Sequence, residues 1–486
     1  MRSGWLVAGA VCAVLAAAPP AYANGRFPAS NRIVFSPSNE KLVVLRTTFG
    51  ILPSYDNGTT WSWLCEDVLG LPPTSNEDPS LEITKNNSLV VGVSHGLLVS
   101  PDTGCTWVTE DGGLTQQLIK DLDIPPQSPD TVLAITSTFE QDAGPDGGQG
   151  YFQQIFTSTD DGAHWALTGT IDPSATVTTI DVAPGDSQRI YVSAYRGSGA
   201  TRTTSIFVSG DGGQTWAEYP TPFDASSETA VYIGAVDPTN EDRLYVRSEG
   251  ASRLFVSSDG GKTYQVAFSL NDQMLGFALS QDGSKVYLGG PNTGLYVASS
   301  TDLQFSSVKQ EEPDGSTRTI HVQCLATHGT DLWACSDEVS GFVAGVSQDD
   351  GVTFTPKLHL LGIQGPLSCP AGTDSTICTT TNDDAAIPYN PFGSLCTNLG
   401  ACYGEDAAAL PEFTVACNQF GACGPQPNRD AGSPPANDAG SPVTTGGSGS
   451  PAKASCGCSF AGGGGAAGAL LAAGVAALAV RRRRRR

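Results

Sequence analysis

The sequence predicts an all-β, seven-bladed propeller, and three observations carry that expectation. A turn-like motif recurs seven times at intervals of 43 to 58 residues. Each interval holds short runs rich in Val, Ile and aromatic residues, bounded by Gly, Asp, Asn and Pro, which is how strands and their turns are written. The chain has 57 Gly and 32 Pro, 15% charged residues and two Met, a mixture that suits many short strands better than long helices. A repeat of this length points to a propeller or a solenoid with one supersecondary unit per copy, and a four-stranded blade needs about that many residues.

The motif reads SYDNGTTW from Ser54, SPDTGCTW from Ser100, STDDGAHW from Ser158, SGDGGQTW from Ser209, SSDGGKTY from Ser257 and SQDDGVTF from Ser347. A seventh copy, STDLQF from Ser300, keeps Ser and Asp302 but lacks the Gly. Around the fifth copy the unit is plain: AVYIGAVDP, then RLYV, RLFVS, the motif, and TYQVAF, giving strands A to D with the motif at the C–D turn. Each letter then has a structural task. Ser54, Ser100, Ser158, Ser209, Ser257 and Ser347, with Asp56, Asp102, Asp160, Asp211, Asp259 and Asp349, can bond the turn amides. Gly58, Gly104, Gly162, Gly213, Gly261 and Gly351 can take a positive φ. Trp61, Trp107, Trp165, Trp216, Tyr264 and Phe354 begin strand D and can bury a broad face between blades.

These letters resemble the Asp-box, or BNR, repeat of propellers such as sialidases, sortilin-type receptors and photosystem assembly factors. The resemblance spans residues 32–360 and implies that the motif lies on the outer part of each blade, away from a ligand face. It also raises the question of sialidase chemistry, which in that family uses an arginine clamp, a Tyr nucleophile paired with Glu, and an N-terminal RIP-type motif. The nearest stretch here is NRIVFSP, in which no Pro follows Arg32-Ile33, and from Arg32 to Arg318 inclusive there are only nine arginines.

Other templates for chemistry are missing from the sequence. The five histidines form no HExxH pattern, and GPDGGQG near Asp146 lacks the strand–loop–helix setting of a phosphate cradle. No catalytic residue, metal ligand or cofactor is assigned. The reading is a binding or scaffold propeller for a protein or glycan ligand. Its alternative is a secreted glycoside-hydrolase-like enzyme acting on polysaccharide or glycoconjugate, which would need a carboxylate pair near the ring axis. A formal charge of −23 argues against a nucleic-acid partner.

Two neighbouring B–C loops break the pattern of tight turns, STFEQDAGPDGGQGYFQ in blade 3 and AYRGSGATRTT in blade 4. They bring Glu140, Asp142, Asp146, Tyr195, Arg196 and Arg202 to one rim, the candidate recognition surface, because binding residues concentrate in loops on a rigid scaffold.

The ends carry processing signals. Residues 1–23 form a secretory leader with one early Arg, an apolar stretch and AYA before Asn24. Residues 426–455 read as a flexible linker. In 456–486, Cys456 and Cys458 precede an uncharged stretch at 460–480, long enough as a helix (about 31 Å) to span a bilayer, and then six arginines. Cys, apolar helix and Arg cluster in this order resemble the MYXO-CTERM sorting tails of myxobacterial surface proteins. That resemblance implies membrane retention that is at least transient, processing near the two cysteines, and display on the cell surface or release. An ordinary tail anchor is the alternative.

Apart from Cys12 in the leader, the cysteines number twelve, an even count suited to an exported chain. Sequence neighbours suggest Cys324–Cys335, Cys369–Cys378, Cys396–Cys402 and Cys417–Cys423, leaving Cys65 and Cys105 to each other. Residues 361–425 read either as a small disulfide-stapled module or as extra strands that help close the ring, with LSCP and TICTTT resembling an A–B pair.

Overall fold

The computed structural model describes residues 30–380 apart from 73–74, 141–149, 312–314 and 338–339. The leader, the linker and the C-terminal segment lie outside the described residues, as do Cys396, Cys402, Cys417, Cys423, Cys456 and Cys458. Within them the chain forms seven blades in a closed ring. The inner strands, A, are Ser30–Phe35, Ser80–Ile83, Ile119–Asp123, Thr176–Val182, Glu228–Asp237, Gly276–Leu279 and Cys324–His328. In blades 2 to 7 four consecutive antiparallel strands follow the order A–B–C–D. In blade 1 the outer strand, Trp61–Trp63, joins through backbone bonds between Ile51 and Leu64 of 3.0 and 2.8 Å. Each inner strand lies beside that of the next blade, and blade 7 returns to blade 1.

The burial pattern explains why these residues become strands of this kind. In blade 2 every residue of strands Leu89–Val93 and Gly96–Ser100 is buried, while the outer strand Val108–Thr109 is exposed. A middle strand covered on both faces is written as a continuous apolar run rather than an alternating one. The buried apolar clusters accordingly sit between blades. Ile135 and Ile155 of blade 3 meet Val177, Ile180, Ile190 and Val192 of blade 4. Val208 of blade 4 meets Val231 and Val246 of blade 5. The largest cluster spans blades 7, 1 and 2 and includes Leu358, Ile363 and Leu367 from the end of the described chain.

The cysteines pair differently from the sequence reading. Cys324 bonds Cys335 across strands A and B of blade 7. Cys369 and Cys378, expected to bond each other, bond Cys105 and Cys65 instead, across 264 and 313 residues. The cause is ring closure. It brings the chain that leaves blade 7 over the outer edges of blades 1 and 2, so that cysteines far apart in sequence become neighbours. Among the described residues LSCP and TICTTT likewise form no strand pair. Strand Ile363–Pro366 instead runs parallel to Trp61–Trp63 at the edge of blade 1, and a short helical turn, Ile377–Thr380, follows.

Close approach between blades is tightest where the outer strand of blade 3 meets the C–D turn of blade 4. A Cβ on Gly169 would lie 1.9 Å from the Gly213 carbonyl oxygen, a contact that only backbone movement could relieve. Gly169→Ala is therefore expected to destabilise the protein by about 1–3 kcal/mol, read by chemical denaturation. An unchanged unfolding midpoint would show that blades 3 and 4 are not held at this spacing.

Candidate functional site

The repeated turns come first, because their chemistry could be taken for a site. In blade 4 the Ser209 hydroxyl donates to Asp211 (2.7 Å) and accepts from the Gly213 amide (2.8 Å). Asp211 accepts the Thr215 amide (2.9 Å) and hydroxyl (2.5 Å), and Trp216 closes the turn by donating its indole N–H to the Gly213 carbonyl (3.1 Å). Gly213 sits at φ 92°, where a residue with a Cβ is strained.

The Ser–Asp bond recurs at 2.7–2.9 Å in all six full copies, and the amide bond from Gly to Ser recurs at 2.7–3.0 Å. All six serines are buried. Hydrogen bonds from the Thr215 hydroxyl and amide and from Ser209 hold the Asp211 carboxyl down at about 2. In the short copy Asp302 accepts the Gln304 amide (3.0 Å), and Leu303 takes the positive φ, 54°. These Ser and Asp side chains spend their bonding capacity inside their own turns, which leaves little for a ligand.

The ring axis is different. A cavity of about 340 Å³ is lined by inner-strand residues of six blades, among them Arg32, Asp121, Asp123, Asp181, Phe277 and Leu325. Glu82 of blade 2 reaches Arg32 in an ion pair, and Asp121 stands 3.8 Å from the same guanidinium. Asp121 and Asp123 point alike because they are two residues apart on one strand. Their carboxylates accept the Ile180 and Val182 amides of blade 4 at 3.2 and 2.6 Å, which joins the inner edges of two blades. No described residue donates to the Asp181 carboxyl.

Burial raises the affinity of all four carboxyls for protons, and Arg32 opposes it at Glu82 and Asp121. Asp123, buried and close to Glu82 and Asp121, is pushed up to about 7. Asp181, buried beside Asp123 and Asp121, is also raised well above the carboxylate range.

At the B–C half of the axis, strand A of blade 5 places Tyr232 opposite Arg247 of strand B. The Arg247 guanidinium lies over the Tyr232 ring at 5.4 Å and donates to the Met274 carbonyl (2.5 Å). Among the described residues no carboxylate pairs with it, and burial lowers its proton affinity. Next to this pair, Arg202 covers the Tyr195 ring at 4.4 Å and donates to the Thr229 carbonyl. Leu275, 37% exposed, and Phe277 add apolar surface at the cavity.

Of the rim expected from sequence, the structure brings Tyr195 and Arg202 together. Arg196 turns aside, tied to Asp172 (2.7 Å) and Ser174 (2.9 Å) in the link from blade 3 to blade 4 and to Glu218 of blade 4. Glu140 ends strand B of blade 3, in register with Gly150, while Asp142 and Asp146 lie outside the described residues. Sequence reasoning missed Tyr232, Arg247 and the axial carboxyls. The available signal was KDLD at 120–123, charge placed on alternate residues of an inner strand.

No protein-family model matches the sequence, and neither does any curated protein. Among solved structures, an ancestral GH74 enzyme is 13% identical with a TM-score of 0.37, covering 69% of this chain and 54% of that one. This chain thus spans about half the length of that enzyme. YCF48 bound to D1 peptide is 14% identical with a TM-score of 0.35, covering 54% and 74%. The Myceliophteria thermophila Cps50 (Swd1) β-propeller domain is 11% identical with a TM-score of 0.41, covering 65% and 95%. The propeller fold rests on the strand pairing, not on these resemblances.

Two outcomes test this division of roles. Ser209→Ala leaves the Gly213 amide without its acceptor and is expected to cost about 1–3 kcal/mol of stability. An unchanged denaturation midpoint would remove the structural role of the turn. For Asp123, the native state keeps a proton that the unfolded chain has already lost. Its contribution to stability is therefore greatest at low pH and declines as pH rises from about 4 to about 7. Asp123→Asn keeps an acceptor for the Val182 amide and removes that titration. The variant should gain stability relative to the parent between pH 4.5 and 8 in urea unfolding. A constant difference across that range would show that Asp123 titrates normally.

Proposed function

We propose that the protein is an exported, surface-displayed propeller that binds a protein or glycan ligand through the B–C face at the seam of blades 4 and 5. The observation that supports this reading is the pair of adjoining Tyr–Arg stacks, Tyr195–Arg202 and Tyr232–Arg247, at one end of the axial cavity. Tyr and Arg supply broad apolar faces together with directed donors, and they dominate binding energy at interfaces. Arg247 has donors left unspent and no carboxylate partner among the described residues.

The turns at Ser54, Ser100, Ser158, Ser209, Ser257 and Ser347 are read as Asp-box repeats, structural elements that set blade spacing. The leader and the MYXO-CTERM-like tail supply the address, the bilayer engagement being through residues 460–480. A second reading, the glycoside-hydrolase-like enzyme, is favoured by one observation. The axial carboxyls divide into a pair beside Arg32, Glu82 and Asp121, and a proton-retaining pair, Asp123 and Asp181, and such a division is what acid–base chemistry uses.

The two readings separate by experiment. The mature full chain is screened against a glycan array and an envelope-protein extract, and affinity is measured for the ligand recovered. Tyr195→Ala with Arg202→Ala should weaken binding tenfold or more, about 1.4 kcal/mol or above, whereas Ser209→Ala should leave affinity unchanged in the folded protein. Full affinity in the double variant would rule out this face. Release of reducing ends from a polysaccharide, abolished by Asp181→Asn, would favour the enzyme.

A further inference from the structure

Each blade is built from one continuous stretch of chain, blade 1 from residues 30–64 and blade 7 from 324–358. None of the four strands of any blade comes from the opposite end of the chain, so between the blades themselves the seam of blades 7 and 1 depends on side-chain contacts. Phe35 stacks on His328 at 4.5 Å and meets Trp333 edge-on at 5.5 Å. Ser30 donates to the Val343 carbonyl (2.8 Å), Trp61 to the Lys357 carbonyl (2.9 Å) and Lys357 to the Asn57 carbonyl (3.1 Å).

The chain leaving blade 7 then crosses this seam. Strand Ile363–Pro366 pairs with Trp61–Trp63, and the Leu367 amide donates to the Trp63 carbonyl (2.8 Å). Cys369 bonds Cys105 in the C–D turn of blade 2. Beside it the Trp107 amide donates to Asp374 (2.7 Å), the Ser375 amide to the Cys105 carbonyl (3.1 Å), and the Ser375 hydroxyl to the Gly104 carbonyl. Cys378 bonds Cys65, directly after strand D of blade 1, and both sulfurs are buried. The same seam forms a wall of the axial cavity, since Arg32 and Ile33 of blade 1 and Cys324 and Leu325 of blade 7 line it.

We propose that residues 363–378 are an oxidation-set clasp, which seals the seam between blades 7 and 1 and with it the wall of the axial cavity. The clasp sets when two thiol pairs, Cys65 with Cys378 and Cys105 with Cys369, each transfer two electrons and two protons to an external disulfide, which leaves as two thiols. An external dithiol reverses each step and is itself oxidised to a disulfide. Loss of two cross-links that enclose most of the ring frees the strap, and the seam then rests on side-chain contacts and the short strand pairing. All the interfaces, the seam included, keep their buried apolar clusters; the seam alone loses its covalent strap.

Hydrogen exchange on the mature full chain, in a Cys324→Ser/Cys335→Ser background, tests the clasp before and after a dithiol under native conditions. Reduction should raise exchange at least tenfold in Ser30–Phe35 and Trp61–Trp63 and lower Tm by about 5 °C or more, while the inner strands of blades 4 and 5 hold their protection. Cys65→Ser with Cys105→Ser, compared in the same background, should reproduce the pattern without reductant and guards against incomplete reduction. Unchanged exchange at the seam, or an equal rise in every blade, would overturn the proposal.

Discussion

No blade of this protein can stand alone, because its middle strands are buried on both faces and need a neighbour on each side. Closure into a ring is the constraint on which the rest depends. It leaves seven inner strands whose free edges face the axis, and a backbone amide left without an acceptor there is costly. Neighbouring blades supply the partners. Asp121 and Asp123 accept the Ile180 and Val182 amides, Thr179 accepts the Ile233 amide (3.0 Å), and Thr327 donates to the Leu279 carbonyl (2.5 Å). Charge at the axis is therefore partly a product of architecture, and a carboxylate there does not by itself signal chemistry.

The same constraint explains the repeated turn. The Gly of each turn faces the preceding blade: a Cβ at Gly162 would meet Val90 and Val99, one at Gly261 would meet Val208, and one at Gly351 would come within 2.1 Å of Leu295. The aromatic residue follows the same direction, with Trp165, Trp216 and Tyr264 packed against the clusters shared with the blade before. Ser and Asp fold the turn, Gly admits the neighbour, and the aromatic side chain covers the gap. One local sequence thereby sets one seam, and its recurrence sets the ring.

That locality decides what could be read from the sequence. The blade count and the role of Ser209, Asp211 and Gly213 were legible because all the partners lie within a few residues. Cys65–Cys378 and Cys105–Cys369 were not, since their pairing is fixed by where the ring closes, and nothing near Cys369 records that. The surface proposed for recognition was marked in the sequence only in part. Loop length marked Tyr195 and Arg202, but Arg196, their neighbour in sequence, is drawn to Asp172 and Glu218 instead. Tyr232 and Arg247 lie in strands of ordinary composition. They meet because they are cross-strand partners, a register set by the surrounding sheet.

The two faces consequently differ in what they can offer a partner. The C–D face presents polar groups already committed to their own turns, whereas the B–C face at blades 4 and 5 presents stacked aromatic rings and a guanidinium with spare donors. Site-specific photo-crosslinking on intact cells tests this contrast most directly, with a photoreactive amino acid replacing Leu275 on one face or Gln214 on the other. The account predicts covalent adducts from position 275 and none above background from position 214. Adducts from position 214 alone would place recognition on the turn face and contradict it.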